Sequence, residues 1–547
     1  MNQVFVVPEP KTLNFTGKWF RFDGFQNFPD FHTRQFNLPK GTWRITKTAK
    51  DGTGLEIKDG EVIFWGDEAL EYATILQLVQ QGRERLPEVT IQESLKFKFR
   101  GYHLDIARGG VPKVETFKKL LKWLFLLKYN HLAIYFEDLF PWRSHPQIGE
   151  HRGRMTEAEL NEIVDYGKSL GVTVFPSLEL SGHMEQILSL PDFQDFSEWG
   201  DPREGCLDLS NEKSREFAYQ LLEEVVKFFP SKFIHIGGDE TYALGRGKSL
   251  SKTWTFEGPT LYESHHRRMI EIIEENRKQP MLNGDMIAGM YLEEQGAKWA
   301  ELIKSDIWKK ALVVNWDYSA SPKEHFKQKI HLFKDNGIDQ LACPGFSNWN
   351  TYYPNFQTAI ENLRNFLTAA KEEELSGFLV TAWGDDGEEC LLSFLDPLLL
   401  AAIEIAEGNE RWQEKWMAIR RENEGTVIAR ILFGNPGISQ TIKHVIFNDS
   451  WFQRSSPQAK EDTRSLWKRT LKEIGRRHLP EDLDFFRKLL RVGLKVLNDD
   501  VKVSDYLMLS NLYSKLWLAE RKLEGLDVIV GRFWAAAARE EMGSGTQ

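Results

Sequence analysis

The segment His235-Ile236-Gly237-Gly238-Asp239-Glu240 sets two adjacent carboxylates behind an apolar run and two glycines. Two carboxyl groups held close together cannot both ionise cheaply, so their pKa values separate. One can keep its proton near neutral pH and serve as a general acid. The other can stay charged and hold or orient a group on a substrate. The glycines allow close backbone approach or unusual torsions. An acidic turn that caps a helix has the same composition, and the two readings are separated by where the fold puts the pair and which residues join it.

Residues able to do chemistry recur at one place in the local pattern. Asp105 and Arg108, Glu137 and Asp138, Glu179 and His183, Asp285, Trp316 and Asp317, Asn348 and Trp349, and Trp383 and Asp385 all stand at or just past the end of a short apolar or β-branched run. The runs, with that of the acidic pair among them, cover 99–107, 131–138, 172–179, 232–240, 280–285, 311–318, 340–348 and 377–385. Helix-like stretches lie between them. One begins at Val114 and puts Phe117, Leu120, Leu121 and Leu124 on one face; another is capped at Ser210-Asn211 and runs to about Phe229. Others cover 156–169, 261–277, 293–304, 323–335, 357–373 and 390–407.

Strand–helix alternation of this kind predicts an α/β fold, a (β/α)₈ TIM barrel over 96–410, with the polar strand ends gathered around one mouth. A doubly wound open sheet is the alternative, weakened by the lack of a Gly-rich phosphate fingerprint after the first strand. ALGRGKSLS (243–251) has glycines of that sort, but not the Gly-x-x-x-x-Gly-Lys-Ser spacing. The mouth would hold acids, one Arg, one His and three Trp. That inventory suits a neutral, ring-shaped, hydroxyl-rich ligand and lacks the several cations a phosphate needs. Residues 1–95 mix short strands with one helix near Tyr72 and predict a small N-terminal α+β accessory domain. Residues 411–547 predict a C-terminal helical domain.

Composition bounds the rest. Lys plus Arg number 70 and Asp plus Glu 80, a net charge of −10, which argues against a nucleic-acid or anionic-membrane partner. No stretch approaches the roughly 20 apolar residues of a membrane span. The start lacks a basic segment followed by an apolar run, so a cytoplasmic protein is expected. Cys206, Cys343 and Cys390 give neither a disulfide framework nor a Cys-x-x-Cys metal spacing, and no metal or organic cofactor is implied. Trp254, Trp412 and Trp416 are assigned to packing.

FIHIGGDET (233–241) resembles the catalytic motif of glycoside hydrolase family 20, the β-N-acetylhexosaminidases. YATILQLVQ (72–80), FRGYHLDIAR (99–108), SLELSGH (177–183) and TAWGDD (381–386) resemble further family segments in the right order. The resemblance covers residues 1–410; the helical segment beyond it resembles a C-terminal domain of some bacterial members. It implies an exo-acting, retaining hydrolase of terminal β-GlcNAc or β-GalNAc that works by substrate-assisted catalysis. Glu240 would be the acid/base. Asp239 would orient the substrate's 2-acetamido group, which itself attacks the anomeric carbon. Arg108 would bind the C3 and C4 hydroxyls, and Asp385, where the family has Glu, the C4 and C6 hydroxyls. Trp383 would floor the sugar ring, Trp316 and Trp349 would wall the acetamido methyl, and Tyr352, or else Tyr353, would donate to its oxygen. His183 and Glu179 match a network around the acid, while Glu137 and Asp138 stand where the family often has an Asp pair. His235 reads as a supporting or core residue. At the end of the fifth strand, where many members have Trp, stand Asn283 and Gly284. A barrel glycosidase on non-acetylated sugars such as β-glucosaminides and a non-catalytic sugar-binding protein are the competing functions. Oligomeric state stays open, a homodimer among the options.

Overall fold

The computed structural model describes residues 3–288 and 296–544. Five strands form an N-terminal sheet: β1 (Thr12–Arg21), β2 (Arg44–Lys47), β3 (Thr53–Lys58), β4 (Glu61–Trp65) and β5 (Arg85–Glu93), in the order β1-β5-β3-β4-β2. The helix Glu68–Gly82, capped by the Asp67 carboxylate, lies against this sheet. Gln77 on that helix donates to the carbonyls of Val7 and Leu126 and so ties the sheet layer to the barrel's first helix.

Eight strands then close a parallel barrel: β6 (Phe99–Asp105), β7 (His131–Tyr135), β8 (Thr173–Ser177), β9 (Phe233–His235), β10 (Gln279–Asn283), β11 (Leu312–Trp316), β12 (Gln340–Cys343) and β13 (Gly377–Ala382). Closure is made by β13 on β6, paired from Gly377↔Phe99 to Ala382↔Leu104. This rules out the open-sheet alternative. The strands are buried on both faces, which is why they read as continuous apolar runs and not as alternating ones. Phe99, Phe175, Met281, Val314, Leu341 and Leu379 fill the barrel's interior toward its lower end. The helices Val114–Leu126, Glu157–Ser169, Glu212–Phe228, Gly258–Glu275, Lys323–Lys334, Phe356–Glu372 and Asp396–Ala406 surround it.

Two helix expectations shift. The stretch expected to be helical from 390 starts at Asp396; before it, a 3₁₀ turn at Leu392–Phe394 leaves N–H groups that the Glu520 carboxylate accepts. Of the expected helix 293–304, residues 293–295 lie outside the described residues, and the rest forms Gly296–Ala300 and a 3₁₀ turn Glu301–Lys304.

Beyond the barrel the chain is helical, with long elements at Pro457–Ile474, Glu481–Leu497, Val503–Glu520 and Leu526–Ser544. Trp412 and Trp416 are buried as expected, but Trp254, which ends the short helix Lys248–Thr253 with left-handed torsions, is 87 % exposed and not in the core. The three cysteines are free and buried. Among the described residues no helix is long and apolar enough to cross a membrane.

Candidate active site

β9 is only three residues long, and one residue, Ile236, separates its end from the two glycines that precede the acidic pair. Both adopt positive φ, 59° and 85°. A Cβ on Gly237 would stand 1.8 Å from Glu179 Oε1, and one on Gly238 would stand 2.6 Å from Tyr262 Oη. The glycines therefore admit a buried carboxyl and a phenol against the backbone just ahead of Asp239. Glu137, His183 and Glu240 also hold left-handed φ of 43–50° on three of the loops around the mouth. Non-glycine residues bear such torsions mainly where the surroundings over-determine them.

The strand ends meet in a pocket of about 280 Å³ lined by Arg108, His183, Asp239, Glu240, Trp316, Tyr318, Trp349, Trp383 and Asp385. That volume stands at the small end of the roughly 300–1,000 Å³ typical of small-molecule sites.

Asp239 is buried. Asn283 Nδ2 donates to its Oδ1 at 2.7 Å. Burial alone would push this carboxyl up. The nearby His183 and hydrogen bonds from Glu179 and Asn283 outweigh burial and hold it below the ordinary carboxylate range. Glu179 takes the opposite part: burial and the Asp239 charge push it far up, so it carries the proton it donates to Asp239. Its Oε2 accepts the Gly238 N–H at 3.0 Å.

Glu240 is oriented by its own N–H, which donates to Asp285 Oδ2 at 3.0 Å, and by His183 Nε2, 3.4 Å from its Oε2. Burial opposes a charge on His183, but Glu240, Asp239 and Glu137 prevail and push it up to about 9. Asp285 is forced up by burial and by Asp239.

Arg108 faces the opposite wall. Its Nε donates to Asp105 Oδ2 at 3.1 Å, its Nη2 lies 3.1 Å from Glu137 Oε1, and Asp385 Oδ1 is 3.8 Å from Nε. Burial disfavours its charge, and Glu137 with Asp105 more than restores it. Burial pushes Glu137 up to about 8 even beside this guanidinium.

Trp383 lies across the barrel mouth with its ring 4.9 Å from His103 and 5.0 Å from Tyr135. Its Nε1 donates to Tyr318 Oη at 2.8 Å. Trp316 stacks on Tyr318 at 5.2 Å and 19°, and Trp349 meets the same phenol at 5.2 Å.

Two expectations change, those for Tyr352 with its alternative Tyr353 and for Asp138, while His235 lies where a supporting or core residue would. Tyr352, expected at the acetamido oxygen, is buried among Phe447, Tyr513 and Phe533 of the C-terminal helices, and Tyr353 packs on Phe394 and Phe486. The phenol at the pocket is Tyr318. It could have been found from its place two residues past Trp316, which puts both on one side of an extended strand end. Asp138 is drawn away from the acid by Arg152 at 2.8 Å, and burial pushes it up to about 6; its neighbour Glu137 is the one that reaches the site. His235 lies below the pocket in a polar layer, its Nδ1 2.5 Å from Ser177 Oγ, which is 3.0 Å from His103 Nε2. Asn283 and Asp285 carry roles that their sequence positions alone, where a Trp is missing and at a polar strand end, do not indicate: Asn283 bonds Asp239, and Asp285 accepts the Glu240 N–H. The glycine-rich ALGRGKSLS loop wraps its N–H groups around the chain's own Glu198: Gly247 N–H donates to Oε1 at 2.9 Å and Ser249 N–H to Oε2 at 3.3 Å. Among the described residues no group of three His, Cys, Asp or Glu could hold a metal ion.

Residues 97–385, over half of the chain, match the family model described as glycosyl hydrolase family 20, catalytic domain. A beta-hexosaminidase of Vibrio furnissii is 31% identical over 204 residues, covering 31% of this chain and 33% of that protein. Hexosaminidase D of Homo sapiens is 25% identical over 305 residues, covering 53% of this chain and 61% of that protein. The similarity thus spans between a third and three fifths of those relatives' length. Among solved structures, Flavobacterium johnsoniae chitobiase superposes with a TM-score of 0.60 at 18% identity, covering 94% of this chain and 98% of that one. A beta-N-acetylhexosaminidase from Bacteroides fragilis superposes at 0.59 and 18%, covering 73% and 90%. At such identities the superpositions show a common fold.

Proposed function

The chain belongs to glycosyl hydrolase family 20, and on that premise we propose that it is an exo-acting, retaining β-N-acetylhexosaminidase removing terminal β-GlcNAc or β-GalNAc. Glu240 delivers a proton to the glycosidic oxygen as the bond to the anomeric carbon breaks. The acetamido oxygen of the same sugar attacks that carbon and forms a cyclic oxazolinium. Asp239 accepts the acetamido N–H and stays charged, so that it stabilises the cation as it develops. Water then adds to the anomeric carbon, Glu240 takes its proton, and configuration is retained.

Arg108 and Asp385 hold the hydroxyls on the far side of the ring, Trp383 lies under it, and Trp316, Tyr318 and Trp349 wall the acetamido group. A small pocket closed on the Arg108 side supports removal of single terminal sugars. The segments 1–95, 96–410 and 411–547 are taken as domains, and a cytoplasmic enzyme acting on imported oligosaccharides or glycoconjugate fragments is the setting proposed.

The observation that carries this reading is the environment of Asp239. A buried carboxylate held charged by His183, Glu179 and Asn283 beside an open acid has little purpose in a protein that only binds sugars. The test is Glu240→Gln assayed on an alkyl β-N-acetylglucosaminide, with an acetamide-mimicking thiazoline as inhibitor of the wild type. Turnover should fall by on the order of 10³-fold while product still binds, because the acid's contribution is lost and the pocket is kept. An unchanged rate removes Glu240 from the role. A wild type indifferent to the thiazoline points instead to the β-glucosaminidase reading with an enzymic nucleophile.

A further inference from the structure

The sugar-holding side of the pocket is assembled from two loops. The loop after β6 carries Arg108, and the loop after β13 carries Trp383 and Asp385. They meet at Asp105, whose Oδ2 accepts from Arg108 Nε at 3.1 Å and from the Gly384 N–H at 3.0 Å. Behind this junction lies Glu388, 4 % exposed. Its N–H donates to the Gly384 carbonyl at 2.7 Å.

What holds Glu388 comes from outside the barrel. Arg521 follows the helix Val503–Glu520 and is 1 % exposed. Its Nη1 donates to the Glu388 carbonyl at 2.8 Å and its Nη2 to the Cys390 carbonyl at 2.7 Å, with Glu388 Oε2 3.6 Å away. The backbone around Arg521 is stitched to the other loop: Lys113 N–H donates to the Glu520 carbonyl at 3.0 Å, and Lys522 N–H to the Val111 carbonyl at 2.8 Å. No slack remains, since a Cβ on Gly110 would lie 2.6 Å from Glu388 Oε2 and 3.0 Å from Arg521 Nε. A buried guanidinium is costly unless its donors are used. Here its two Nη groups are spent on two carbonyls of one loop and its Nε is left without a hydrogen-bond partner among the described residues, while its backbone is bound to the other loop.

We propose that Arg521 is a positioning residue for the sugar clamp, locking the Asp385 loop to the Arg108 loop and so fixing the spacing of those two side chains. The proposal rests on reading the pocket as an N-acetylhexosamine site. Arg521 reaches no substrate; it acts through Glu388, Gly384 and Asp105. The helical region beyond the barrel is thereby part of what reads the sugar. GlcNAc and GalNAc differ only in the direction of the C4 hydroxyl, the group the clamp addresses, so a loosened clamp should lose discrimination between them.

The test uses Arg521→Met and Arg521→Lys in the full-length chain, with aryl β-GlcNAc and aryl β-GalNAc substrates. Arg521→Met should raise KM for the preferred sugar about 10-fold, as expected when a buried hydrogen-bonding fork is removed, with kcat lowered less than KM is raised. The ratio of kcat/KM between the two sugars should move toward one. Arg521→Lys, which keeps the charge and one carbonyl bond, should recover part of both effects. A lower melting temperature with KM and the sugar ratio unchanged overturns the proposal, as does a loss confined to kcat. If Arg521→Met does not fold, Arg521→Lys decides alone: a raised KM with a narrowed ratio supports the proposal, and wild-type values overturn it. A wild type inactive on both sugars overturns the reading of the pocket and this inference with it. An active wild type whose variants keep its KM overturns this inference only.

Discussion

A carboxylate inside a protein stays charged only if its neighbours make the charge cheaper than the proton, and Asp239 shows how few neighbours suffice. One is a cationic imidazole, His183; two are hydrogen-bond donors, the protonated Glu179 and the Asn283 amide. Asn283 gives the most specific test because its amide touches the acid and is absent from the pocket lining. Asn283→Ala should lower kcat by on the order of 10- to 100-fold, since a small misplacement of the group facing the acetamide is amplified in the transition state. KM should change little, and steady-state kinetics on an aryl N-acetylglucosaminide reads both; an unchanged kcat would remove Asn283 from the work of aiming Asp239. Much of the site was legible residue by residue. Arg108, His183, Asp239, Glu240, Trp316, Trp349, Trp383 and Asp385 all follow strand-like runs, and barrel closure is enough to bring such positions together. Tyr352 was misplaced because the loop after β12 threads it among helices more than a hundred residues further along, which no local pattern records. Asn283 escaped because its value lies in a partner across the β9–β10 seam.

At the scale of elements, apolar runs ended by polar residues located all eight barrel strands, because a parallel sheet buried on both faces leaves no other pattern to read. The boundaries that moved were those set by distant partners, as at Leu392–Phe394, where the Glu520 carboxylate caps the turn and delays the helix. A similar long-range tie joins the N-terminal sheet to the barrel. Lys128, just past the helix Val114–Leu126, lies 2.5 Å from Glu93 at the end of β5, both nearly without solvent. Thr74, on the helix that backs the sheet, donates to the other Glu93 oxygen. Glu71 lies close enough that burial and Glu93 push it up to about 9. Lys128→Met should therefore cost about 3–5 kcal/mol, because it strands a buried carboxylate without its cation. Lys128→Met with Glu93→Gln should regain most of that loss, since no unpaired charge is left. Thermal or denaturant unfolding of the two variants reads the difference, and equal stability of the single and double variants would show that the pair does not bear on the seam.

For the molecule as a whole, groups that titrate differently when buried set how stability depends on pH. Burial pushes His32, His235 and His266 down to about 4 and His103 and His131 down to about 3, so all five are neutral in the folded chain. In the unfolded chain they take up protons below about 6.5, which favours unfolding as pH falls from there to about 3. The raised carboxyls act at the other side. Burial pushes Glu404 up to about 7 and Glu71 to about 9, so each keeps its proton in the fold up to about that pH while its unfolded form ionises from about 4.5 upward. His183 adds to this: its stabilisation is complete below about 6.5 and is lost as pH rises toward about 9. Between about 4.5 and 6.5 the two sets oppose each other; above that window only the alkaline losses continue, and below it only the acid ones. The melting temperature should therefore pass through a broad maximum near pH 4.5–6.5 and fall steadily to pH 9. His183→Gln should flatten the part of that fall between about 6.5 and 9, because the group whose charge is being lost is gone. Calorimetry across pH 4–9 checks both statements, and a melting temperature that rises from pH 6.5 to 9 would mean that the buried carboxyls and His183 do not govern the alkaline side.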